Sequence, residues 1–328
     1  MQPTAAIPAA ITPAPLPTAP ALRRLTEPGC CLDPFWSPDG AELRFIDRRA
    51  AGLPAAIYAV RLADGVTYRT DLPIGIYSPD GRYAAFLSEA GETTVRDALL
   101  GREWVIPNGG RRVFFSPDSR QVAWAEEERR SNFSVILSTV YVSNVDGSSP
   151  RPVITVYGGS FSGWLDEDHI LLYGRTEEAG EARALFSLSL TDSTRVNLVE
   201  GARVYDVSIA PGGGWVQYTV VRETPDSGLN GQWVVRRDGL ARHRLEMAGG
   251  VRWRDGSRLL VIPLVLNAPG HELWQFDAEA GQMARLLGPD EVLFRVGAGQ
   301  WSVAPGGGQV VFRSAADGAL WLLDLPPG

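Results

Sequence analysis

"FWSPDGAELRFID" (residues 35–47) places an apolar pair before a Ser-Pro-Asp-Gly turn and an alternating apolar strand after it. Proline fixes φ at the first turn position, Asp-Gly supplies a corner of positive φ, and the Ser and Asp side chains can cap nearby backbone N–H groups. The segment therefore reads as a β-hairpin. It returns as "IYSPDGRYAAFLS" (76–88) and "FFSPDSRQVAWAE" (114–126). Weaker copies are "SGWLDEDHILLYG" from Ser162, "VSIAPGGGWVQYTV" from Val207, "VRWRDGSRLLVIP" from Val251 and "WSVAPGGGQVVFR" from Trp301.

Seven turns result, marked by Asp39, Asp80, Asp118, Asp166, Gly212, Asp255 and Gly306. They lie 38 to 51 residues apart, a spacing near that of a four-stranded propeller blade at roughly 40–45 residues. Apolar third strands follow the hairpins at 56–62, 139–145, 184–190, 232–238 and 272–278. Polar fourth strands follow at 66–70, 151–156, 194–199, 241–246 and 282–287. The last repeat has no fourth strand after its "GALWLLDLPPG" (318–328), whereas "ALRRLTEPG" (21–29) has fourth-strand texture and no repeat before it. Pairing 22–26 with 320–325 would remove two exposed edges. The expectation is an all-β, seven-bladed β-propeller of four-stranded antiparallel blades, closed by an N-terminal strand and spanning 21–328 as one domain.

The repeats resemble the TolB-type and WD-like propeller family, whose hallmark is a "WSPDG" turn followed by an apolar strand. The resemblance covers 21–328, strongest in the three Ser-Pro-Asp copies, and implies a β-propeller that binds or scaffolds other molecules.

Composition narrows the function. The chain of 328 residues is 45% hydrophobic, carries ten tryptophans and has a net charge of -7, so it can bury a large core but lacks the basic footprint of a nucleic-acid binder. All 31 basic residues are arginine, which excludes a P-loop lysine or a Schiff-base lysine. No run of 18 apolar residues exists, so no transmembrane helix is expected. The first 20 residues, with six prolines, read as a flexible Pro/Ala-rich tether. A tether of this kind suits a periplasmic or extracellular monomer, with a cytoplasmic location as the alternative.

Catalytic motifs fail on their residues. "GGSFSG" (158–163) puts Phe161 where a nucleophile elbow needs serine, and "GAGQWS" from Gly297 misses the dinucleotide fingerprint. His169, His243 and His271 fall on three different repeats without ligand spacing, so neither a metal nor a cofactor is expected. Oligogalacturonate lyases, similar in fold, use a histidine cluster; by that resemblance only His271 is placed to contribute.

Ligand-binding candidates sit on the segments joining second to third strands and one repeat to the next. They are Cys30, Cys31, Arg48, Arg111, Arg112, Tyr157, Arg175, Arg203, Tyr205, Arg222 and His271. Converging arginines would suit a carboxylate-bearing ligand or acidic peptide; the alternative is a solvated rim paired with glutamates. Cys30 and Cys31 are adjacent, about 3.8 Å apart at Cα. Either a strained vicinal disulfide or two separate thiols fits the sequence. The functional reading is a non-catalytic module binding a protein, a peptide or a small acidic ligand. The alternative is a lyase or hydrolase acting on a carbohydrate or peptide at the channel mouth.

Overall fold

The computed structural model describes residues 21–50, 52–129, 136–179, 182–221, 228–265 and 267–327. The tether expected at 1–20 lies outside the described residues, as does Arg222. Within them the architecture is an all-β propeller with four-stranded antiparallel blades.

Five separate four-stranded sheets are present. The first comprises β2 (Leu32–Trp36), β3 (Glu42–Asp47), β4 (Ala56–Arg61) and β5 (Thr67–Arg69). The next comprises β6 (Ile76–Tyr77), β7 (Tyr83–Leu87), β8 (Thr93–Asp97) and β9 (Glu103–Val105). Two more are β17 (Val204–Ile209), β18 (Trp215–Val220), β19 (Gly231–Arg236), β20 (Arg242–Arg244), and β21 (Gly249–Trp253), β22 (Arg258–Pro263), β23 (Leu273–Asp277), β24 (Gln282–Leu287). In the fifth, β25 (Val296–Val303), β26 (Gln309–Ser314) and β27 (Leu320–Asp324) are joined by β1 (Leu22–Arg24), which pairs Leu22↔Leu323 through Arg24↔Trp321.

Seven such sheets were expected, and here the structure corrects the sequence reading. Strands β10 (Phe114–Phe115), β11 (Gln121–Arg129), β12 (Ile136–Asn144), β13 (Arg151–Trp164), β14 (His169–Arg175), β15 (Ala184–Ser189) and β16 (Arg195–Glu200) form one seven-stranded sheet. The cause is β13. Its first half pairs with β12 and its second half with β14, the register shifting between Tyr157 and Ser160. "YGGS" (157–160) bends the strand as a bulge instead of breaking it. Glycine is needed there, because a Cβ on Gly159 would lie 1.8 Å from the Tyr173 carbonyl oxygen.

The hairpin turns explain why Ser-Pro-Asp-Gly recurs. In the first, Ser37 Oγ donates to Asp39 Oδ1 at 2.6 Å, Asp39 accepts the Ala41 N–H at 3.1 Å, and Ser37 Oγ accepts the Glu42 N–H at 2.9 Å. The same three bonds recur around Ser78–Asp80 and Ser116–Asp118. Every polar group of the turn is thereby paired locally. In the Ala-Pro-Gly-Gly copies the serine is gone, and contact with a neighbouring turn replaces it: a Cβ on Gly213 would lie 1.8 Å from the Leu165 carbonyl oxygen.

Neighbouring sheets meet through apolar faces and indole clasps. Leu165, Leu171 and Leu185 of the seven-stranded sheet pack with Val216, Tyr218 and Val235. Each such side chain, fully buried, contributes roughly 1.5–3 kcal/mol. Trp164 donates its indole N–H to Phe114 O at 2.9 Å, Trp253 to Ser208 O at 3.4 Å and Trp36 to Ser302 O at 3.5 Å. Each bond joins two inner strands.

Candidate functional site

Because the strands of each sheet alternate in direction, all Ser-Pro-Asp-Gly turns fall on one face of the propeller. The segments joining second to third strands, and one sheet to the next, fall on the other. This loop face carries exposed apolar side chains: Leu53, Ile74, Leu87, Val221, Leu264, Val265 and Leu293.

A cavity of about 740 Å³ opens on the loop face between the β17–β20, β21–β24 and β25–β27 sheets. Its walls are aliphatic, from Val220, Val221, Ile262, Pro263, Leu264, Val265 and Val296, with Trp301 at the side and Gly249 and Gly250 leaving room between them. Gln232 ties two sheets together beside it, donating to Gly249 O at 2.9 Å and accepting the Gly249 N–H at 3.0 Å. Asp206 lines it too, in a left-handed conformation (φ 48) where the inner strand β17 shifts register. Such a concave, mainly apolar site with a few placed polar groups has the form of a small-molecule pocket.

Among the described residues, His271 is the one sequence candidate that lines this cavity. Its Nδ1 accepts the Val296 N–H at 3.4 Å, so the neutral ring carries its proton on Nε2. Burial, with a smaller push from the Arg295 charge, pulls the imidazole below its usual range. The ring is thus neutral at pH 7.

The other candidates are dispersed. Arg111 and Arg112 share a separate cavity of about 260 Å³ with Ile74 and Leu87. Arg111 donates to Asn108 O at 2.5 Å and lies 3.7 Å from Glu126, while Arg112 stacks over Phe114 at 5.0 Å. Arg48 is exposed at the end of β3, and Arg203 is exposed just before β17. Tyr157 and Arg175 face each other across β13 and β14, and the buried Arg175 Nε has no acceptor among the described residues. Tyr205, on β17, is 40% exposed next to Asp206.

The cysteines lie between β1 and β2 and are joined as a disulfide. Cys31 is buried among Leu43, Phe45, Val60, Val311, Leu320 and Leu322. The Thr26 hydroxyl lies 3.1 Å from the Cys30 sulfur and 3.5 Å from that of Cys31, and it accepts the Leu320 N–H at 2.9 Å. The pair is thus fixed at the seam of the first and last sheets, away from the 740 Å³ cavity.

Among the described residues no group of three or more His, Cys, Asp or Glu side chains could hold a metal ion. No helix among them is long and apolar enough to cross a membrane.

No family model and no curated protein matches the sequence. Solved structures do. An oligogalacturonate lyase in complex with manganese is 17% identical, with a TM-score of 0.62 and 93% of each chain covered. The oligogalacturonate lyase from Vibrio parahaemolyticus is 14% identical, with a TM-score of 0.65 and the same coverage. The β-propeller domain of the Trilobed protease from Pyrococcus furiosus, described as having an open velcro topology, is 14% identical; its TM-score is 0.58, with 92% of this chain and 99% of that one covered. These likenesses establish a β-propeller fold.

Proposed function

We propose that the chain is a non-catalytic binding module on a TolB-like propeller, exported from the cytoplasm, with the 740 Å³ cavity as its ligand site. The observation that carries this reading is the cavity itself. Three sheets build it, and much of its wall is aliphatic where a loop face open to water would ordinarily be polar. The arginines expected to gather an acidic ligand support it indirectly: Arg111 is engaged by Asn108 and Glu126, and Arg112 by Phe114. A disulfide between Cys30 and Cys31 supports an oxidising compartment.

The ring belongs to the same proposal. The β1–β27 pairing would close the circle over 21–328 as one domain. Trp36 bonded to Ser302 supports closure. A chain begun at residue 20 should melt like the full protein, while one begun at residue 28 should melt far lower; equal melting temperatures would sink closure.

Thermal shift with a panel of apolar amides, sugars, uronates, peptides and metal ions tests the binding site. A ligand that raises the melting temperature of the wild type but not of Val265→Asp supports the cavity. Turnover of an oligogalacturonide or a peptide would replace this reading with the lyase or hydrolase one.

A further inference from the structure

The cavity's polar groups identify the kind of ligand it would take. Seven of the ten tryptophans place their indole N–H on a protein acceptor. Trp301 does not. The residue is 4% exposed overall and lines the cavity, and its Nε1 has no hydrogen-bond partner among the described residues. Gly250 leaves it uncovered: a Cβ there would sit 3.4 Å from Nε1. An indole nitrogen can only donate, so the ligand atom that meets it must be an acceptor.

His271 adds a second donor. With Nδ1 accepting from Val296, its Nε2 carries a hydrogen that no protein acceptor among the described residues takes. The side-chain acceptors nearby are committed or misplaced. Both ends of the Gln232 amide are spent on Gly249, and the Asp206 carboxylate on the lining disfavours an anion. The nearest cation to Trp301, Arg252, lies over the ring face at 5.4 Å and donates to Val251 O at 2.8 Å. What the cavity offers is largely aliphatic surface with two neutral nitrogen donors, beside the Thr219 hydroxyl, the Asn230 amide and the Asp206 carboxylate.

We propose that the cavity takes an uncharged, mainly aliphatic ligand with a carbonyl oxygen that accepts from Trp301 Nε1–H, His271 Nε2–H being the second donor on the same lining. The inference rests on the cavity being the binding site. A charged carboxylate would lose its hydration and gain only neutral donors, whereas an amide or ester oxygen needs no countercharge. The aliphatic part of the ligand would replace water along Val220, Ile262 and Val296.

Matched probes separate the possibilities: N-ethyloctanamide, octanoate and octane. The amide should bind about tenfold more tightly than octanoate, a gap of roughly 1.4 kcal/mol, and should move the Trp301 indole resonance downfield in a ¹H–¹⁵N spectrum. Trp301→Phe and Gly250→Ala, the second covering Nε1 without altering the indole, should each weaken the amide about fivefold and leave octane unchanged. Tighter binding of octanoate, or amide binding unaffected by both substitutions, overturns the donor assignment while leaving the cavity as the site. If none of the probes binds, or if Val265→Asp binds them like the wild type, the cavity reading itself fails and the inference with it.

Discussion

The two faces of the propeller solve different problems. On the turn face each polar group is answered within a few residues: Ser37 by Asp39, Asp80 by Ser78 and Arg82, Asp255 by Arg258. The glycines there admit the neighbouring turn, as Gly81 admits Pro38 and Gly213 admits Leu165. On the loop face the described segments leave Leu264 77% and Leu293 64% exposed, and a large cavity opens where three sheets meet. One face pairs its polar groups locally; exposed leucines occur on both, Leu99 and Leu240 on the turn face included, but only the loop face gathers apolar side chains around a large cavity. If that division is right, substitutions on the turn face should cost stability and those on the loop face should not.

The largest effect should come from Gly213→Ala. The added methyl meets the Leu165 carbonyl at 1.8 Å in a residue of φ +68, and the hairpin must move. A loss of about 3–4 kcal/mol is expected in urea unfolding. Gly212 is the control, with φ +79 and nothing within 4 Å. Its replacement by alanine should cost about 1 kcal/mol, the left-handed strain alone. Equal losses would mean that the turns do not nest.

Asp97→Asn comes next. Fully buried, Asp97 accepts Arg82 at 2.6 and 3.1 Å and the N–H groups of Leu99 and Leu100 at 2.9 and 3.1 Å. The Arg82 hydrogen bonds, against a desolvation cost, hold its carboxyl below the usual range. Its stabilisation is full above the unfolded value of about 3.9 and is lost as pH falls through the lower folded value. Asparagine should cost about 2–3 kcal/mol at pH 7 and flatten the acid limb of a melting profile. An unchanged acid limb would remove Asp97 from the turn-face network.

The loop face should titrate in another window. Burial lowers the folded His271 value, so the unfolded chain takes up this proton first as pH falls. The stability is complete above about 6.5 and declines from there toward the folded value. The step should be under about 1 kcal/mol for a ring only partly shielded, and His271→Gln should abolish it. A step that survives in the variant belongs to another group.

The same division decides what the sequence discloses. The turn face is legible because its bonds are local: a Ser-Pro-Asp-Gly string contains both partners of each bond. The β13 strand was misread because Tyr157-Gly158-Gly159-Ser160 has the composition of a loop, and only the close approach of Tyr173 shows the glycines to be serving a bulge. The loop face was read least well. Arginines were expected to converge, yet Arg111 and Arg112 find partners on their own segment and share a different cavity. The residues of the main cavity, Val220, Ile262, Val296 and Trp301, carry no chemical signature and meet only through three sheets. One signal was available: "VIPLVL" (261–266) continues its apolar run past the end of β22, where a loop should turn polar.

That run supplies the smallest expected effect and the sharpest test of the comparison. Leu264 is 77% exposed, so Leu264→Ser removes almost no buried surface and should change stability by less than about 0.5 kcal/mol. Because Leu264 also lines the cavity, the same substitution should weaken an aliphatic ligand severalfold, roughly as losing one or two buried methylenes would. A side chain that folding does not need and binding does is what a reserved surface predicts. If Leu264→Ser lowers the melting temperature as Asp97→Asn does, the loop face is part of the core and the contrast between the faces dissolves.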